Sequence, residues 1–134
     1  MQRILELLLD ENELQWYDGG ALEECFDLYK TLTQAEKKKI FKYIKKESDL
    51  AKAHYIEIIS DDELLDAKNI VMKIIKKAND EHLLMTAIFY LSHKKNELTP
   101  QNKSEIIKTI ENLINTSKTT NKDVLREMLE KIKQ

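Results

Sequence analysis

Apolar residues return every three or four positions along almost the whole of this chain. That spacing lines one face of an α-helix and leaves the other faces for charge. Punctuation is scarce, with two glycines and one proline in 134 residues. Strand-rich folds need many more turn residues of those kinds. The expected fold class is therefore all-α. An apolar fraction of 42% against a charged fraction of 34% leaves enough apolar surface for a core at this length. One helical domain over residues 1–134 is expected.

The period places eight helices. Residues 2–9 carry Ile4, Leu5, Leu8 and Leu9 as a stripe. Residues 10–20 read as the one long irregular segment, ended by the turn chemistry of Asp18-Gly19-Gly20. Residues 21–32 follow, with Leu22, Cys25, Phe26, Leu28, Tyr29 and Leu32. Thr33-Gln34-Ala35-Glu36 forms a capping box that opens a helix to about Lys46. Ser48 caps the next helix. Ser60 or Asp61 caps another, which carries Leu64, Ala67, Ile70, Val71, Ile74 and Ile75. Asn79 or Asp80 starts the sixth helix, and Thr99-Pro100 supplies a cap followed by proline at the first helical position of the seventh. Residues 121–133 close the chain.

Loops this short make consecutive helices antiparallel neighbours. A weak internal repeat agrees with a stack of helical hairpins. Ile40, Phe41 and Ile44 align with Ile70, Val71 and Ile74, then with Ile106, Ile107 and Ile110. Tyr55, Ile56 and Ile59 align with Leu83, Leu84 and Ala87, then with Val124, Leu125 and Met128. A compact helical bundle is the alternative arrangement.

Catalytic signals are poor. His54, His82 and His93 stand in no metal-ligand spacing, and His82 and His93 read as surface or capping residues. The lone Cys25 makes neither an internal disulfide nor a cysteine-based zinc site; it reads as a small buried hydrophobe in a reducing compartment. Gly19-Gly20 precedes a helix start, but Glu23, Glu24 and Asp27 would repel an anion there. Glu57, Asp61 and Asp62 lack the loop and glycine of a calcium site. No catalytic residue, metal or cofactor is expected, and the chain reads as a non-enzyme. No stretch is long and apolar enough for a transmembrane helix, and Met1–Leu9 does not read as a signal peptide, so a cytoplasmic protein is expected.

Net charge is −2, but that balance conceals a split. Residues 1–32 hold Arg3 and Lys30 against Glu6, Asp10, Glu11, Glu13, Asp18, Glu23, Glu24 and Asp27. Glu57, Asp61, Asp62, Glu63 and Asp66 add a second acidic stretch without a base. The only tryptophan lies in the first stretch, in Trp16-Tyr17. Two aromatics within an acidic rim have the composition of an interface anchor, although a lone tryptophan more often covers a core. Lysine runs at 37–39, 45–46, 76–77 and 94–95 read as solvated faces or as favourable charges at helix C-termini. Twenty lysines against two arginines argue against a nucleic-acid reader.

The paired Ile/Leu stripes over residues 33–134 resemble short HEAT-like or armadillo-like α-solenoids. The size and the acidic surface are similar to those of the small helical immunity proteins of bacterial toxin–immunity systems. That resemblance implies a cytoplasmic inhibitor that blocks the active site of a basic toxin domain, such as a nuclease. The partner-binding residues would be Asp10, Glu11, Glu13, Trp16, Tyr17, Asp18, Glu23, Glu24, Asp27, Asp61, Asp62, Glu63 and Asp66. A helical-repeat scaffold is the second reading, and a nucleic-acid-binding regulator the third.

Overall fold

A computed structural model describes residues 1–59, 67–116 and 122–134. Among these residues the chain is all-helical. It has nine α-helices and one short 3-10 helix: α1 (Gln2–Leu9), α2 (Glu13–Tyr17), α3 (Ala21–Lys30), α4 (Gln34–Ile44), α5 (Asp49–Ile59), α6 (Ala67–Lys77), α7 (Glu81–His93), the 3-10 turn Lys95–Glu97, α8 (Pro100–Thr116) and α9 (Lys122–Lys133). None of these helices is long and apolar enough to cross a membrane.

The caps read from sequence are in place. Thr33 Oγ1 accepts from the Glu36 amide at 3.2 Å, and Glu36 Oε1 accepts from the Thr33 amide at 3.0 Å. Those contacts hold the Glu36 carboxyl below its usual range. Ser48 Oγ accepts from Ala51, and Asp80 Oδ2 accepts from Leu83. Thr99 and Asn102 exchange the same pair of bonds ahead of Pro100 and α8. The expected cap at Ser60 or Asp61 lies outside the described residues.

The chain gathers into two compact units, Met1–Leu65 and Asp66–Gln134. In the first, α1, α3 and α5 pack on one another, α2 rests on α3, and α4 lies against α5. Three of these helices are not consecutive, so the first unit is more than a row of sequential hairpins. α5 is its centre: Ala51, Ala53, His54, Tyr55, Ile56, Ile58 and Ile59 are all buried, far more than one stripe. A helix apolar nearly all round needs neighbours nearly all round. In the second unit α7 has that place, touching α6, α8 and α9, while α8 runs closely along α9.

Two expectations are corrected. Residues 10–20 are not wholly irregular, because α2 forms inside them. A five-residue helix has too few positions to show a periodic stripe and is too short to persist without tertiary contacts. Lys37, expected on a solvated face, is buried, with its ammonium 4.8 Å from the centre of the Tyr29 ring. A long apolar stem and a cation–π contact make that position tolerable.

Candidate protein-binding surface

Local chemistry builds α2 in three steps. The Asp10 carboxylate accepts from the Asn12 amide at 2.9 Å, folding the chain back after α1. Asn12 Oδ1 then accepts from the amides of Leu14 and Gln15, capping α2. At the far end the amides of Asp18 and Gly19 both donate to the Leu14 carbonyl. A Cβ on Gly19 would lie 2.9 Å from backbone atoms of Gln15, and Gly20 takes a left-handed φ of 83° as α3 begins. Both glycines therefore belong to the turn that separates α2 from α3.

Tertiary contacts fix the helix from inside. Trp16 is 1% exposed and stacks on His54 of α5, with ring centres 4.0 Å apart and planes 16° from parallel. His54 is itself buried, and its Nδ1 lies 3.1 Å from the Leu8 carbonyl oxygen. A carbonyl only accepts, so Nδ1 carries the proton. Leu8 sits in the last turn of α1, where carbonyls lack helical partners. One core histidine thus satisfies the end of α1 and forms the platform for α2. Trp16 is part of the core, not of the surface where an interface anchor was expected.

Glu57 of α5 completes the attachment. Its carboxylate accepts from Tyr17 Oη at 2.8 Å and from Trp16 Nε1 at 3.4 Å. Desolvation and the adjacent Glu57 charge push the Tyr17 phenol well above its usual range. In sequence Glu57 is one acid of the second acidic stretch; a carboxylate 40 residues from Tyr17 leaves no local signal of such a contact.

The outer face of α2 is unusual. Leu14 is 72% exposed and Tyr17 43% exposed, three positions apart on one side of the helix. Asp10, Glu11, Glu13 and Asp18 are all exposed around them, and Glu23 and Asp27 are exposed on α3, against which α2 rests. Leu14 was missed in the sequence reading. The i, i+3 spacing of Leu14 and Tyr17 within an acidic run was the available signal.

Glu24 differs from the other acids. Arg3 of α1 grips it through Nε at 2.7 Å and Nη2 at 3.1 Å, and Arg3 also lies 3.6 Å from Glu6. This fork binds α1 to α3 and holds the Glu24 carboxyl below its usual range. Glu24 is therefore a structural acid. Cys25, beside it, is buried, and burial pushes its thiol up to about 12. Asp61, Asp62, Glu63 and Asp66 lie outside the described residues.

His82 and His93 are exposed, on α7. No group of three or more metal-ligating side chains comes together among the described residues. No family model matches the chain, and comparison with curated proteins and with solved structures gives no match either.

Proposed function

We propose that this protein is a protein-binding inhibitor that covers a basic partner with the α2 face. The observation that carries the reading is the pair Leu14 and Tyr17, exposed on a pinned helix and rimmed by Asp10, Glu11, Glu13 and Asp18. A partner that covers Leu14 and the ring of Tyr17 gains the burial that folding leaves unused there. The surrounding carboxylates select a positively charged partner and speed its approach, while the apolar centre supplies residence time. Glu23 and Asp27 extend the same negative field across α3. In this reading the chain acts as the small helical immunity proteins do, occluding the active site of a cognate basic toxin domain. The direct packing of α6 on α7 and of α8 on α9 supports repeat hairpins of the HEAT-like kind in the second unit.

The test is a pull-down with the tagged full chain at low and high salt, run beside two variants. One carries Glu11→Lys, Glu13→Lys and Asp18→Lys; the other carries Leu14→Ser. Glu24 is left alone, since a lysine there would face Arg3 and loosen α1 from α3. The expected result is one basic protein held by the parent chain, weakened by salt and lost from both variants, with circular dichroism unchanged. The captured protein's own activity should fall when the parent chain is added. Equal capture by the parent and both variants would reject this face.

A further inference from the structure

The solvent side of α4 and of the turn that follows it is rich in lysine. Lys38, Lys39, Lys42, Lys45 and Lys46 are all exposed, while Ile40 and Ile44 point into the core. At 100° per residue the five lysines fall within an arc of roughly 120°, and from Lys38 to Lys46 they run about 12 Å along the axis. Lys38, Lys39, Lys42 and Lys46 make no ion pair among the described residues. Of the acids that flank the stripe, Glu36 is committed to the Thr33 cap, and Glu47 directly follows Lys46 in sequence.

Stability does not account for this stripe. Lys38 and Lys46 each stand four residues from Lys42, and Lys39 and Lys45 each stand three from it, so like charges repel along the face. The helix dipole favours cations in the last turn only, which leaves Lys38 and Lys39 on the wrong half. Two lysines of α6 are engaged. Lys68 donates to the Glu97 carbonyl at 3.0 Å and Lys76 lies 3.7 Å from Glu105. In a chain with more acids than bases, five adjacent lysines facing water together mark a surface for an outside anion.

The residue type narrows the occupant. Protein interfaces are depleted in lysine and enriched in arginine. An amphipathic helix that binds membranes inserts its apolar side, but here that side is Ile40 and Ile44 in the unit's own core. A phosphate backbone needs only a row of point charges, and a duplex presents one charge about every 1.7 Å of its axis. Tyr43, also exposed at the edge of the stripe, gives an aromatic ring beside that row. The scarcity of arginine argues against base readout, not against backbone contact. We propose that the α4 stripe binds nucleic acid through its phosphates, without sequence preference.

The experiment measures anisotropy of a labelled mixed-sequence DNA duplex titrated with the full chain at two salt concentrations. The expected Kd is on the order of 1–100 μM near 50 mM salt, weakening by about a hundredfold near 200 mM if three to five phosphates are neutralised. A variant with Lys38→Gln, Lys39→Gln, Lys42→Gln and Lys46→Gln should lose at least about tenfold and flatten the salt slope by roughly three. Glutamine keeps helix propensity, and circular dichroism checks the fold. A control with Lys73→Gln and Lys77→Gln on α6 should bind as the parent does. No binding at low salt, equal loss in the control, or binding to phosphatidylserine vesicles with none to DNA would each overturn the proposal.

Discussion

α4 and α6 are both eleven residues long, lysine-rich and packed against one helix more central than themselves. They treat their lysines differently. α6 commits Lys68 to a carbonyl and Lys76 to Glu105, within the second unit. α4 leaves a continuous stripe in water. The wider division follows the same line. Residues 1–65 hold fifteen acids and nine bases, sorted by helix, with acids on α1 to α3 and lysines on α4. Residues 66–134 hold nine acids and thirteen bases, and on α8 and α9 the signs alternate. Mixed signs on a helix neutralise locally and stabilise it slightly. Sorted signs forgo that gain and build fields that reach a partner. The first unit is therefore where interaction surfaces are to be sought.

The comparison can be broken most severely at Trp16. If the acidic face depends on α2 being pinned, Trp16→Ala should cost about 3–5 kcal/mol of stability. Urea unfolding followed by circular dichroism reads this, and a loss under about 1 kcal/mol would mean that α2 is not fixed by its core contact. Gly20→Ala forces a left-handed φ on a residue with a side chain and should cost about 1–2 kcal/mol by the same assay. An unchanged midpoint would show that the α2–α3 turn relaxes to another conformation.

The contrast between α4 and α6 makes a prediction of opposite signs. Lys42→Glu replaces four repulsions with attractions and should stabilise by about 0.5–1 kcal/mol. Lys76→Gln removes an exposed pair with Glu105 and should destabilise by less than about 1 kcal/mol. Two changes of the same sign would remove the distinction between sorted and mixed lysines.

The smallest effect concerns acid. The Glu24 carboxyl is depressed in the folded state by Arg3. Its contribution is therefore present above the usual carboxylate value of 4.5 and is lost as pH falls below it. Glu24→Gln should flatten the acid limb of a stability–pH curve while leaving the neutral-to-alkaline side parallel to the parent. An acid limb of unchanged slope would show that the Arg3 fork does not form in solution.

Much of the architecture was legible in the residues. Thr33-x-x-Glu36, Ser48, Asp80 and Thr99-Pro100 each fix a helix start through contacts within three residues, so position in the fold hardly matters to them. The apolar period likewise placed Ile40, Ile44, Ile106 and Ile110 inward, and all four are buried. The site was less legible. Of the residues expected to bind a partner, Asp10, Glu11, Glu13, Tyr17, Asp18, Glu23 and Asp27 are exposed, whereas Trp16 is core and Glu24 is spent on Arg3. Both exceptions arise from contacts over 20 residues or more, with His54 and Glu57 in one case and Arg3 in the other.

The sequence alone determined what is periodic or local: the helical class, most helix boundaries, the caps, and the concentration of acid before residue 33. These follow from backbone hydrogen bonding and from apolar spacing, which act over one or two turns. Only the tertiary structure decided that α2 exists, that α5 is surrounded, that Trp16 rests on His54 while Leu14 stays in water, and that Lys68 and Lys76 of α6 find partners. Each of these depends on which side chains meet across long separations, and neither composition nor period encodes that.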